Sequence, residues 1–226
     1  MTGKSYETDV ITTSAGDLAM TFLGHGTLMF TFNEKVIHID PFSRVADYAE
    51  LPEADLVLIT HEHQDHLDLA ALAEIVTDDT VVILTELCAD RVGDGVVLKA
   101  GDTYEAVGIK VEAVPAYNIV HTRPDGKPFH PKGDGVGYVL TFGDTKVYVA
   151  GDTEDTPEMR ALTGIDVAFL PMNLPYTMTP EQVADAARAF KPTVLYPYHF
   201  GDTETGKLVE LLRDEPGIEV RVRDLA

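Results

Sequence analysis

The chain has 226 residues, 45% of them hydrophobic, which is enough to bury a large core, and one domain over residues 1–226 is the expectation. Lys and Arg number 17 against 38 Asp and Glu, a formal charge of −21 with no basic run, and such a field repels nucleic acid and anionic lipid surfaces. The single cysteine excludes an internal disulfide and a cysteine metal cluster, and the apolar neighbours of Cys88 mark it as a small buried hydrophobe.

The stretch Met1–Asp9 lacks the apolar core of a signal peptide, and no segment has the ~18 uninterrupted apolar residues of a membrane span, so a cytoplasmic protein is the default expectation. Glu7–Thr13, Leu18–Leu23, Thr27–Phe32 and Val36–Ile39 read as a β-meander with polar turns between them. Gly24 and Gly26 flank His25 and suggest close backbone packing, which leaves His25 either a core histidine or part of a site lining. Asp40, before Pro41, reads in isolation as a turn residue.

Asp55–Thr60 has the apolar, partly β-branched pattern of a buried strand, and it runs directly into His61-Glu62-His63-Gln64-Asp65-His66. One histidine there would read as a solvated loop residue. Three imidazoles and a carboxylate at the mouth of a buried strand point instead to zinc or another first-row divalent ion. The apolar spacing of Leu67, Ala71, Leu72 and Ile75 starts a helix behind this stretch, so the motif lies on a loop.

Val81–Leu84 reads as a strand, Ala89–Val92 as a short helix and Val96–Pro115 as further strands. The segment His121–Gly137 is rich in glycine and proline; its single aromatic and paired histidines favour a substrate loop over a flexible insertion. A hairpin, Tyr138–Phe142 and Lys146–Ala150, delivers Gly151-Asp152-Thr153, by itself a commonplace turn. Met159–Leu162 is a short helix, Asp166–Leu170 a buried strand and Pro171–Thr179 a second irregular loop. A helix opens at Thr179-Pro180-Glu181 with an N-cap and a first-position proline, and Val183, Ala186, Ala187 and Phe190 form its apolar face. Val194–Tyr198 is the last core strand, followed by His199, an amphipathic helix Glu204–Leu212 and an edge strand Ile218–Val222.

The string His61-x-His63-x-Asp65-His66 resembles the signature of the metallo-β-lactamase superfamily. That resemblance implies an α/β fold, the four-layer αββα sandwich, with ligands at strand ends along one rim. It implies a metal set of His61, His63, Asp65, His66, Asp152 and His199, with Asp152 the carboxylate that can bridge two metals, Asp40 an acceptor orienting a ligand histidine, and His25 beside it. The cofactor is then one or two Zn²⁺ ions, with Mn²⁺ or Fe²⁺ as substitutes. Over about residues 20 to 201, the strings Pro115–Asn118, Phe129–Tyr138, Gly151–Thr153, Tyr176–Met178 and Tyr198-His199 resemble a branch of zinc-dependent hydrolases related to ascorbate-6-phosphate lactonase.

The superfamily's usual histidine near residue 116 is missing, since Ala116-Tyr117-Asn118 stands there. His130 is the best surrogate, with a loop or substrate contact favoured over direct ligation. The implied activity is hydrolysis of a small ester, lactone or phosphoester, with Asp65 accepting a proton or holding a second metal. His130, Lys132, Asn173 and Tyr176 are the candidates for holding substrate. Alternatives are a non-catalytic metal-binding module of the same fold and a phosphodiesterase- or nuclease-like relative, the latter disfavoured by charge. The expected partner is a small molecule, anionic groups included, without nucleic acid or membrane; homo-oligomers stay open.

Overall fold

A computed structural model describes residues 5–226; Met1–Lys4, the start of the N-terminal stretch considered above, lie outside the described residues. Among the described residues two seven-stranded sheets face one another. The first runs in chain order through β1 (Thr8–Thr13), β2 (Gly16–Gly24), β3 (Thr27–Phe32), β4 (Lys35–Ile39), β5 (Leu56–Leu58), β6 (Val81–Leu84) and β7 (Val96–Val97). The second holds β8 (Thr103–Ala106), β9 (Ile109–Ala116), β10 (Gly135–Phe142), β11 (Thr145–Val149), β12 (Val167–Pro171), β13 (Val194–Tyr198) and β14 (Glu219–Val220), again in chain order across the sheet.

Each sheet is antiparallel for its first four strands and parallel thereafter. Parallel neighbours need a crossover, and helices supply most of them. α1 (Leu69–Ile75) and α2 (Glu86–Val92) follow β5 and β6, while α3 (Pro157–Arg160), α4 (Pro180–Phe190) and α5 (Thr205–Leu212) follow β11, β12 and β13.

Strand alternation then sorts the apolar residues into three clusters. Leu56, Leu58, Phe169 and Tyr196 point between the sheets; Val57 and Ile59 meet α1 and α2; Ala168, Leu170 and Leu195 meet α3, α4 and α5. The result is four layers in the order αββα, as the resemblance implied. Cys88 is buried in the helix-side cluster of the first sheet. No helix among the described residues is long and apolar enough to cross a membrane.

Some boundaries differ from the sequence reading. The helix expected from Leu67 begins at Leu69, because Asp68 caps it through the amides of Ala70 and Ala71. α2 starts at Glu86 rather than Ala89. β10 begins at Gly135, inside the stretch read as irregular. At Gly137 a Cβ would lie 2.5 Å from the Ala150 carbonyl oxygen, so these glycines let neighbouring backbone approach rather than break the strand. α4 has the expected Thr179 N-cap, completed by Gln182 into a reciprocal capping box.

The two sheets are joined at one end by hydrogen bonds that belong to neither ladder. Val136 N–H donates to the Thr60 carbonyl at 3.0 Å, the Tyr138 hydroxyl to the Ile59 carbonyl at 2.7 Å, and His199 N–H to the His25 carbonyl at 3.1 Å. Between the sheets Phe169 stacks on Tyr196 with ring centres 4.9 Å apart and meets Phe22, Phe30 and Tyr198 as well. Replacing Phe169 by Ala is expected to cost about 3–5 kcal/mol of stability, because the surrounding rings cannot close so central a cavity. Urea unfolding of the two proteins measures it, and a loss under about 1 kcal/mol would show that the sheets re-pack.

Candidate metal centre

At the joined rim the strand ends converge. After β5, a turn in which His66 and Leu67 N–H both donate to the His63 carbonyl curls the motif back, so that the His61 ring centre lies 4.7 Å from that of His63 and 4.1 Å from that of His66. β11 delivers Asp152, β13 delivers His199, and the loop between β9 and β10 delivers His130. His25, Asp40 and His199 all have positive φ, at 56°, 47° and 46°. Non-glycine residues in this sparsely populated region persist only where surrounding contacts enforce them, and here all three sit at one site.

Asp152 divides its two oxygens between two groups of side chains. Oδ2 lies 3.2 Å from His130 Nε2 and 4.0 Å from His61 Nε2; Oδ1 lies 3.1 Å from His199 Nδ1 and 3.5 Å from His66 Nε2. His61, His63, His130 and Asp152 form one set whose donor atoms all lie within 4.8 Å of one another, and His66, Asp152 and His199 form a second. Asp65 joins the second side, with His25 Nε2 at 3.1 Å and His199 Nε2 at 3.4 Å from its Oδ2.

The arrangement fits divalent cations by a direct test. The buried atoms His61 Nε2, His66 Nε2, His199 Nδ1 and Asp152 Oδ1 have no hydrogen-bond partner, a costly state that a bound ion relieves. Gly26 keeps the space open, since a Cβ there would sit 2.9 Å from His66 Cε1.

Asp40 aims the imidazoles. Its Oδ2 accepts from His66 Nδ1 at 2.7 Å and from the Thr60 hydroxyl at 2.6 Å, and that hydroxyl, its hydrogen spent, accepts from His61 Nδ1 at 3.0 Å. Both rings are thereby held with Nδ1 protonated and the Nε2 lone pair directed inward. Burial, helped by the neighbouring His66, pushes the His61 pKa well below its usual value and keeps it neutral. Burial would lower His199 also, but Asp152 and Asp65 carry it up to about 10. Burial works against ionised Asp152, yet His199 and His66 hold its carboxyl well below the usual range.

An imidazole from another part of the chain, His130, stands beside the stretch Ala116-Tyr117-Asn118. Asn118, in the stretch that lacks the superfamily's histidine, accepts through Oδ1 from both the backbone N–H (2.7 Å) and Nδ1 (2.9 Å) of His130, and so turns His130 Nε2 toward Asp152. The Asn118 amide is itself held by Glu154 Oε1 at 3.0 Å and the Tyr176 carbonyl at 2.8 Å. Glu154, fully buried, also accepts the backbone N–H groups of Ile119, Val120 and His121. His130, favoured above as a substrate contact, therefore stands within the ligand cluster.

The other anticipated residues divide. Asn173 and Tyr176 line a cavity of about 490 Å³ together with His63, Asp65, His130 and His199. Lys132 does not; its ammonium pairs with Glu158 at 2.7 Å and lies over the Tyr117 ring, so it is withdrawn from that cavity. Asp65, expected to accept a proton or hold a second metal, lies beside His25 and His199 in a group of donor atoms that could hold an ion, with its side chain 37% exposed. Asn118 and Glu154 escaped the sequence reading as orienting residues, and no local signal marks them.

A β-lactamase superfamily domain model matches residues 19–199. The chain belongs to the metallo-β-lactamase superfamily. Within the superfamily it is 32% identical over 195 residues to a UPF0173 metal-dependent hydrolase of Methanopyrus kandleri, covering 81% of this chain and 84% of that one. A crystal structure from Parabacteroides distasonis, named as a candidate metal-dependent hydrolase, aligns with TM-score 0.94 at 49% identity over 98% of this chain and 100% of that one. A metallo hydrolase of Ignicoccus hospitalis shares the fold, with TM-score 0.76 at 24% identity over 92% of this chain and 96% of that one.

Joint replacement of His61 and His63 by Ala is expected to abolish stoichiometric metal in the purified protein; unchanged content by elemental analysis would remove both from the ligand set. Asn118→Ala, which releases His130 without touching an inward-facing atom, should weaken metal affinity by roughly 10–100-fold in competition with a chelator. Metal must displace the proton that His199, with its raised pKa, holds at neutral pH. Affinity should therefore tighten from pH 6 to pH 8, with proton release detectable in weak buffer. Binding independent of pH would show that His199 holds no proton for the metal to displace.

Proposed function

We propose that this chain is a hydrolase that acts on a small ester, lactone or phosphoester substrate with one or two divalent ions, zinc in the first place, held by His61, His63, His130, Asp152, Asp65, His66 and His199. The observation that carries this reading is the pair of ligand sets sharing Asp152, with their unpartnered atoms beside a cavity of small-molecule size. The imidazole-rich set with two carboxylates suits Zn²⁺ and also accepts Fe²⁺ or Mn²⁺. Such ions lower the pKa of water toward neutrality and polarise a carbonyl or phosphoryl oxygen. The naming of the relatives as metal-dependent hydrolases supports the same chemistry, and the lactonase-like strings in the sequence point to a cyclic or simple ester.

The residues of the chain do the rest. Asp65 and Asp152 both line the cavity, and Asp65 is the more exposed of the two; it takes the proton of the attacking water while His25 and His199 contact its Oδ2. Tyr176 and Asn173 close the side of the cavity built by the second irregular loop and orient the substrate there. The tie from Asn118 to the Tyr176 carbonyl keeps that wall in register with His130. The charge of −21 works against nucleic-acid substrates.

The test is elemental analysis of untreated protein followed by a panel of lactones, aryl esters and phosphodiesters with metal restored. Metal without turnover on any member would favour the non-catalytic binding module. Asp65→Asn keeps the shape of the side chain but removes its basicity, and turnover should fall by at least ~10²–10⁴-fold. Near-normal turnover would refute the assigned role.

A further inference from the structure

We propose that Arg123 is the anchor for a negatively charged group, a carboxylate or a phosphate, that the substrate carries away from the bond to be cleaved. This rests on the hydrolase reading above and narrows its substrate to an organic anion. Among the described residues Arg123 is the only Lys or Arg lining the 490 Å³ cavity at the metal centre, which it shares with Asp65, Asp152 and His199.

It sits on a built turn, not a loose strand of chain. Arg123 N–H donates to the Lys127 carbonyl at 2.7 Å, Gly126 N–H to the Arg123 carbonyl at 2.9 Å, and Thr122 bridges Pro128. The guanidinium lies over the Phe129 ring, 5.2 Å from its centre, and Nη2 donates to the Phe129 carbonyl at 3.2 Å. That single bond uses one of the fork's five N–H groups. Among the described residues no carboxylate pairs with Arg123, although the chain has 38 acidic residues and only 17 basic ones. Its neighbour Lys132 is neutralised by Glu158, and Arg221 and Arg223 by Glu219 and Asp9.

An anionic molecule approaching so acidic a protein needs a local cation at the site. A positioned guanidinium with free N–H groups matches carboxylate and phosphate oxygens two at a time. The ring under Arg123 also meets Tyr176 edge-on at 5.0 Å, so the charged anchor is continuous with an aromatic wall that suits a flat or apolar body.

The experiment compares metal-loaded wild type, Arg123→Gln and Arg123→Lys by calorimetric titration with inorganic phosphate and, separately, with benzoate. Arg123→Gln should weaken at least one probe by about 10- to 100-fold, the loss expected for a charge-assisted hydrogen bond. Metal content and thermal midpoint should be unchanged, since the side chain is exposed and bonds only a neighbouring carbonyl. A larger loss for phosphate assigns the anchored group as phosphoryl, and a larger loss for benzoate as carboxylate. Arg123→Lys restores charge without the fork and should recover only part of the binding. Equal binding of both probes to wild type and Arg123→Gln, or no binding of either to wild type, would overturn the proposal. Failure of the wild type to hydrolyse any ester would instead sink the hydrolase reading, and the binding comparison would stand apart from it.

Discussion

A buried carboxylate surrounded by buried imidazoles is tolerable only when charge and lone pairs are matched, and Asp152 is the place where this chain must match them. Withdrawing an unpaired ion from water costs several kcal/mol, so an Asp152 oxygen without a hydrogen-bond partner is a demand for a cation. The raised pKa of His199 supplies part of the positive charge. Unpartnered nitrogens on His61 and His66 remain even so. The rim thus presents lone pairs that a divalent ion would take up, which is the physical meaning of a preorganised metal site.

The two-sheet architecture is what brings those groups together. The histidine motif comes from the first sheet and Asp152 and His199 from the second, so no half of the molecule holds a complete set. The bonds from Val136 to Thr60, Tyr138 to Ile59 and His199 to His25 fix the distance between sheets where the ligands meet. The left-handed backbone at His25, Asp40 and His199 is the strain that this closure imposes. The same contacts that complete the core thus set the separation of the two ligand sets.

His130 stands among the site histidines although the superfamily's usual position lacks one. Where a histidine would end β9, Asn118 stands and orients His130, twelve residues later on the loop. The cost of borrowing a ligand from a loop is that the loop must be made rigid. Glu154 does so by gathering three successive backbone N–H groups and the Asn118 amide on one buried carboxylate. Because Glu154 lies two residues after Asp152, both ligand arms are held from one short segment.

The sequence by itself determined the features governed by short-range pattern. Apolar runs with period two, the cap at Thr179, and the His61–His66 string depend on residues within a few positions of each other; the runs and the cap marked the strands and a helix, and the string marked one ligand-bearing loop and carried the resemblance that implied the αββα fold. Two local signals misled: the glycines of Gly133–Gly137 looked like breakers, because sequence cannot show that Ala150 backbone packs against Gly137. Lys132 looked like a substrate contact, because sequence cannot show that Glu158 lies 2.7 Å away. Only the tertiary structure decided that Asn118 and Glu154 aim His130, and that Arg123 rather than Lys132 faces the cavity. Asn118 is turned by contacts 12 to 58 residues distant and Lys132 by one 26 residues distant, which no local pattern encodes, whereas Arg123 is held by Phe129 only six residues on.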